Sequence, residues 1–245
     1  MYVKLKKKYG QNFLIDDNII YKIISFIERE NLNILEIGPG DGRLTEGIIS
    51  KNPKRLDLVE IDKELVGNLH TKFKNYNFIT IINEDVLKHN LKKNYDLVIS
   101  NLPYNISSQV LIKLSIMPNT PKEMVLMFQK EFASKLLNKD LNSINSIVNC
   151  FFKIKSKFHV GRNCFRPIPK IDSTVLRFVK LNKNLIRKDE IDNFIEFKRY
   201  LFSYKRKTLG NLLKEFNLND QSKLDIRAEK LKLNDLINIF REIKP

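Results

Sequence analysis

Short runs of branched aliphatic residues recur along the first half of this chain, each followed by a polar or helix-patterned stretch. They are Asn33–Ile37 (NILEI), Leu56–Ile61 (LDLVEI), Phe78–Ile82 (FITII), Asp96–Ser100 (DLVIS) and Met124–Phe128 (MVLMF). Strands separated by helix-length segments pair through crossovers and lie parallel, so the alternation predicts an α/β chain with a doubly wound, mostly parallel sheet. Phe151–Val160 and Thr174–Lys180 read as two late strands that close the sheet in antiparallel fashion. Beyond Lys183 the pattern changes. Ile186–Tyr204, Thr208–Phe216 and Ala228–Ile243 carry apolar residues at helical spacing amid many Lys and Arg. Two domains are expected, a sheet domain over 1–183 and a small helical domain over 184–245.

Lys and Arg number 44 against 28 Asp and Glu, a formal charge of +16. Such an excess draws polyanions, nucleic acid ahead of an anionic membrane surface. A Lys-rich, AT-biased genome also contributes to it. No apolar run reaches the ~20 residues that cross a bilayer. The two cysteines and three histidines form no metal-ligand spacing, so no zinc site is expected. The basic start, Met1 to Tyr9, lacks a signal-peptide apolar core. Cytoplasmic residence is the expectation.

The first strand runs into Gly38-Pro39-Gly40-Asp41-Gly42. Glycines there let the backbone turn sharply and come close to a ligand. Glu60 ends the second strand, where a carboxylate accepts hydrogen bonds from ribose hydroxyls, with Ile61 beside it. Asp85 follows the third strand, where a carboxylate could reach an adenine amine. A Gly-rich turn with an acidic strand end also describes NAD enzymes. The spacing G-x-G-x-G, with Glu36 just before it, resembles S-adenosylmethionine methyltransferases of Rossmann-like fold, whose turn faces methionine and ribose instead of a pyrophosphate.

Asn101-Leu102-Pro103-Tyr104 ends the fourth strand, on the edge of the sheet where ligands bind in open α/β folds. The residue types suit an aromatic amine. The Asn101 side-chain oxygen and a backbone carbonyl near Leu102 can accept its two hydrogens and favour a pyramidal, nucleophilic nitrogen. Pro103 stiffens the turn and adds no N–H. Tyr104 offers a face to an extruded base. No strong base is needed, because the nitrogen sheds its proton only after it has been alkylated.

With these segments in view, the sequence resembles the KsgA-type small-subunit ribosomal RNA adenine dimethyltransferases. The matching stretches are Tyr9–Leu14, Glu36–Gly42, Val59–Asp62, Asn101–Ser107 (NLPYNIS), Gln129–Glu131, Phe165–Ser173 (FRPIPKIDS), Leu201–Leu209 and Arg227–Glu229. The resemblance implies S-adenosylmethionine as cofactor, held by Gln11, Asn12, Leu14, Gly38, Gly40, Glu60, Ile61, Asp85, Val86 and Asn101. It implies Asn101 to Tyr104 as the catalytic turn, and two adjacent adenosines in the terminal hairpin of small-subunit rRNA as substrate, with a role in ribosome assembly on the preribosomal particle. A monomer without metal is expected. Departures are Asn138–Ser146, lean where the family carries a Gly-, Tyr- and Arg-containing loop, Lys135 in place of a common Arg, and Arg166 and Ile168 in the Pro-rich loop.

For the substrate, Tyr104 is expected to stack on the base, and Phe165 with Pro167 to wall its pocket. Lys205, Arg206 and Lys207, with Lys4, Lys6, Lys7, Lys8, Lys198 and Arg199, are expected to meet phosphates. Lys170 and Asp172 are spaced to pair with each other. Two other functions share these motifs: an Erm-type large-subunit rRNA adenine methyltransferase, and a noncatalytic RNA-binding or assembly factor.

Overall fold

The computed structural model describes residues 11–216 and 224–243. They divide into two compact units: 11–133 with 154–180, and 134–153 with 181–216 and 224–243. The sequence pattern placed a single break between 183 and 184, but the chain passes between the units three times. Segment 134–153 belongs with the tail because its backbone is bonded there. Leu181 and Leu185 donate to the carbonyls of Phe151 and Cys150, and Leu141 donates to that of Glu229.

In the first unit the elements are β1 (Phe13–Leu14), α1 (Asp17–Ile24), β2 (Asn33–Ile37), α2 (Arg43–Ile49), β3 (Arg55–Glu60), α3 (Lys63–Phe73), β4 (Ile79–Asn83), β5 (Leu97–Asn101), α4 (Ser107–Ile116) and β6 (Glu123–Gln129). Then follow α5 (Lys130–Leu137), α6 (Asn145–Val148), β7 (Phe152–Val160), β8 (Phe165–Arg166) and β9 (Ser173–Lys180). The seven-stranded sheet has the order β4-β3-β2-β5-β6-β9-β7. Pairs β2–β3, β3–β4, β2–β5 and β5–β6 are parallel. β9 runs antiparallel to β6. The fold is thus the expected Rossmann-like, doubly wound one. Its central strands are buried on both faces, as a helix-covered sheet requires; Leu56, Leu58, Val98 and Ile99 have no exposed area. β1 pairs separately with β8, Phe13 opposite Arg166 and Leu14 opposite Phe165.

Two helices of this unit start at Asp caps. Asp16 accepts from Ile19 N ahead of α1, and Asp62 accepts from Glu64 N ahead of α3. α1 turns Ile20, Ile23 and Ile24 inward, on helical spacing.

The second unit holds α6, α7 (Ile191–Ser203), α8 (Leu209–Leu212) and α9 (Leu233–Ile243). Rings of Phe194 and Phe197 pack on Phe240, with centroids 5.2 and 5.6 Å apart. The helix expected over Thr208–Phe216 is only the four residues of α8. Leu209 and Gly210 donate back to Ile226 and Leu224, so this stretch bonds to the returning chain. The helix expected over Ala228–Ile243 is split, because Leu231 adopts an extended backbone between a short 3-10 turn and α9.

One buried hydrogen bond joins β2 to α2. Thr45 Oγ1 donates to Glu36 Oε2 at 2.7 Å, and both side chains are buried. Loss of water pushes the Glu36 carboxyl up to about 8; the Thr45 bond opposes this and the neighbouring Glu60 adds to it. Between the ordinary carboxyl range and pH 8 the folded chain therefore holds a proton that the unfolded chain has released. Stability from this group is full at acid pH and is lost as pH rises through about 8, at up to about 1.4 kcal/mol per pH unit. Glu36→Gln should flatten that decline. Denaturant unfolding of both proteins between pH 5 and 9, without cofactor, reads it directly; parallel pH curves would mean that Glu36 ionises in the fold as easily as in the open chain.

Candidate functional site

Strand order reverses around β2, whose neighbours are β3 on one side and β5 on the other. The crossovers leave in opposite directions there, and a crevice opens beyond the carboxyl ends of the strands. The turn after β2, the end of β3, the loop after β4 and the turn after β5 all line it.

Gly38 and Gly40 hold φ of +66° and +61°, a region closed to most side chains. At Gly40 a Cβ would also fall 2.8 Å from the Phe13 ring, so the start of β1 lies against the turn. Glu60 is 6% exposed. One of its oxygens accepts from Gly40 N at 3.3 Å and the other from Asp62 N at 2.9 Å. Burial pushes this carboxyl up, and those two backbone donors pull it back down. Each oxygen keeps lone-pair capacity for a ligand hydroxyl. Ile61, well exposed, and Val86, buried, supply apolar walls, with Leu14. Asp85 Oδ1 accepts from Leu87 N and fixes the loop after β4.

Asn101 ends β5. Its Nδ2 donates to the Asn12 carbonyl at 2.9 Å, which turns the side-chain oxygen into the role of free acceptor. Of the carbonyls of Leu102, Pro103 and Tyr104, the last two are taken: Ile106 N donates to Pro103 O, and Ser107 Oγ to Tyr104 O. Of the three, the Leu102 carbonyl is left without a donor from this turn. Tyr104 is half-buried, and its hydroxyl meets Ser173 Oγ at 2.9 Å; burial raises the phenol above its ordinary range. Gln11 Nε2 donates to Asp62 Oδ2 at 3.0 Å, so the same N-terminal segment also reaches the end of β3.

All the residues expected at the cofactor and catalytic positions line this one cleft: Gln11, Asn12, Leu14, Gly38, Gly40, Glu60, Ile61, Asp85, Val86 and Asn101 to Tyr104. Phe165 is a correction. It has no exposed area and packs in the hydrophobic core with Leu14 and Val160, so it presents no face to a base. Lys198 is a second correction. It is buried, and its Nζ donates to the Ser143 carbonyl at 2.6 Å, anchoring segment 134–153 in the second unit. Asp172 does not pair with Lys170; it takes His159 Nε2 at 3.5 Å and Arg162 N at 3.0 Å. Lys205, Arg206 and Lys207 are exposed in the turn between α7 and α8 of the second unit. Lys4, Lys6, Lys7, Lys8 and Tyr9 lie outside the described residues.

Sequence reasoning missed Phe13 under the glycine turn and Ser173 on the Tyr104 hydroxyl. Phe13 sits inside the QNFL stretch and Ser173 closes FRPIPKIDS, so position within a motif was the available signal. Among the described residues no group of three His, Cys, Asp or Glu is placed to hold a metal ion, and no helix is long and apolar enough to cross a membrane.

Comparison with known proteins agrees with this geometry. Residues 2–244 match the family model described as ribosomal RNA adenine dimethylase. Ribosomal RNA small subunit methyltransferase A of Mycoplasmopsis pulmonis is 39% identical over 99% of this chain and 100% of its own length. The protein of the same name from Mycoplasma mobile is 41% identical over 94% and 90%. Among solved structures, a dimethyladenosine transferase from Plasmodium falciparum superposes with a TM-score of 0.83 at 25% identity, covering 94% of this chain and 97% of that one. The 23S rRNA methyltransferase ErmE superposes at 0.75 with 20% identity, which establishes a shared fold. On the whole-chain match and these identities, the protein belongs to the ribosomal RNA adenine dimethylase family.

Proposed function

We propose that this protein transfers methyl groups from S-adenosylmethionine to the N6 amines of two adjacent adenosines in the 3′-terminal hairpin of small-subunit rRNA, two per adenosine. It acts as a monomer in the cytoplasm on a preribosomal particle. The observation that carries the reading is the amide of Asn101, oriented by the Asn12 carbonyl at 2.9 Å in the cleft that holds the glycine turn and Glu60. An Erm-type substrate is the weaker reading, because the ErmE likeness is one of fold while the relatives at 39% and 41% identity are named for the small subunit.

The donor set fits the cofactor. The positive-φ glycines leave backbone where side chains would intrude, Glu60 faces the ribose position, and Val86 with Ile61 offers apolar contact to an adenine ring. S-adenosylmethionine, when bound, supplies a methyl carbon made electrophilic by its sulfonium. The chain's own part is to orient the nucleophile. Asn101 Oδ1 and the Leu102 carbonyl accept the two N6 hydrogens, which draws the nitrogen lone pair out of conjugation. The Tyr104 ring stacks on the extruded base. The proton leaves to water after alkylation, so the turn needs no histidine or carboxylate at the amine.

Incubating the protein with labelled S-adenosylmethionine and undermethylated small subunits, then locating the modified bases, tests the substrate; label confined to the large subunit would favour the Erm-type reading. Asn101→Ala should lower turnover by on the order of a hundredfold while cofactor affinity changes little. Unaltered turnover would remove the amide from the chemistry. Glu60→Ala should weaken cofactor binding by roughly 10- to 100-fold, the range of a hydrogen bond to a charged group. Titration with labelled cofactor measures it, and undiminished affinity would place the ribose elsewhere.

A further inference from the structure

β7 is an edge strand of the seven-stranded sheet. Its residues alternate in burial: Phe158 and Val160 face the core, while Lys155, Lys157 and His159 are exposed on the other side. Side chains two apart on a strand lie about 7 Å from each other, a step comparable with that between successive phosphates of one nucleic-acid strand. Like charges held so close repel, and among the described residues neither lysine meets a carboxylate. Asp172, at this end, is already engaged. His159 Nε2 lies 3.5 Å from it and Arg162 N donates to it, which leaves the exposed Arg162 side chain just past the end of β7. Asp172 leads directly into Ser173, whose hydroxyl meets that of Tyr104 at 2.9 Å. The basic edge therefore ends beside the ring proposed to receive the base.

We propose that Lys155, Lys157 and Arg162 form a track for the phosphodiester backbone of the RNA, leading the strand that carries the target adenosine toward Tyr104. The inference rests on the reading of the chain as an rRNA methyltransferase and adds a second binding surface to the exposed Lys205 to Lys207 turn. Phosphate contacts of this kind set register and leave sequence unread. The occupant is a polyanion because the patch offers charge and no apolar pocket. Lysines on an edge strand also deter pairing with other chains, and that role alone predicts a different outcome.

The test compares Lys155→Gln/Lys157→Gln with Lys51→Gln/Lys54→Gln, which removes the same charge at the opposite end of the sheet, before β3. Binding of undermethylated small subunits is measured across a salt series, together with cofactor affinity and the unfolding midpoint. The β7 variant should bind about tenfold more weakly at low salt, with a salt slope shallower by about 1.5, as expected for two phosphate contacts. Its cofactor affinity and unfolding midpoint should match the wild type, and the control should bind like wild type. Equal losses in the two variants would reduce the effect to net charge and overturn the track. Aggregation of the β7 variant with unchanged affinity and slope would assign the lysines to edge protection instead. Methylation by the wild type is scored in parallel. A wild type that methylates beside a β7 variant that binds normally sinks the track alone, whereas a differential in binding without any methylation sinks the enzymatic reading alone.

Discussion

The site depends on one hydrogen bond, from Asn101 Nδ2 to the Asn12 carbonyl. An amide can present either an oxygen or an NH2 to a ligand, and only the oxygen can receive an amine hydrogen. The bond decides which end faces the cleft. It also makes the turn after β5 depend on a segment far away in sequence. That segment holds three loops at once: Gln11 reaches Asp62 at the end of β3, Phe13 packs on Gly40, and Asn12 orients Asn101. β1 is then pinned by its pairing with β8. The pieces that would bind the cofactor and the piece that would hold the amine thus share one brace, and a shift in it moves both.

The brace works because the sheet beneath it is rigid. Strands β2, β3 and β5 are buried, and the turns that line the cleft begin where their ladders end. Short turns on buried strands have little freedom, which is what alignment of an amine with a methyl carbon requires. Glu60 shows the same economy. Its two oxygens already hold the Gly40 and Asp62 amides, so the carboxylate shapes the glycine turn before any ligand arrives.

Much of this was legible in the sequence, for physical reasons. The parallel strands were visible because strands buried on both faces read as unbroken apolar runs, and NILEI matches β2 residue for residue. The cleft-lining residues could be picked out because a Gly-rich turn follows one apolar run and an acid ends the next. Tail features were less visible. Periodicity in 208–216 and 228–243 signalled helix, but local spacing does not register that Leu209 and Gly210 bond to the returning chain. Phe165 and Lys198 misled for a related reason. A ring in a loop motif and a lysine in a basic run carry no local sign of burial, and only the fold places the first opposite Leu14 of β1 and the second against Ser143.

The electrostatics of the cleft run against those of the chain. A protein of +16 attracts polyanionic RNA and, more weakly, repels a cationic sulfonium. In the lining of the cleft the sign is reversed: Glu36, Asp41, Glu60, Glu84 and Asp85 belong to it, and Arg43, the one Lys or Arg among the lining residues, is paired with Asp41 at 3.0 Å. Burial holds Glu36 and Glu60 toward neutrality in the free protein. A bound cation favours their ionised forms, so the low-dielectric setting that makes the acids costly also strengthens their hold on the ligand. Because surface charge is screened within about 10 Å at ordinary salt, an acidic cleft and a basic exterior can coexist on a chain of this size. The cationic cofactor and the polyanionic substrate can then be gathered by opposite fields on adjoining surfaces, with the reacting amine at their boundary.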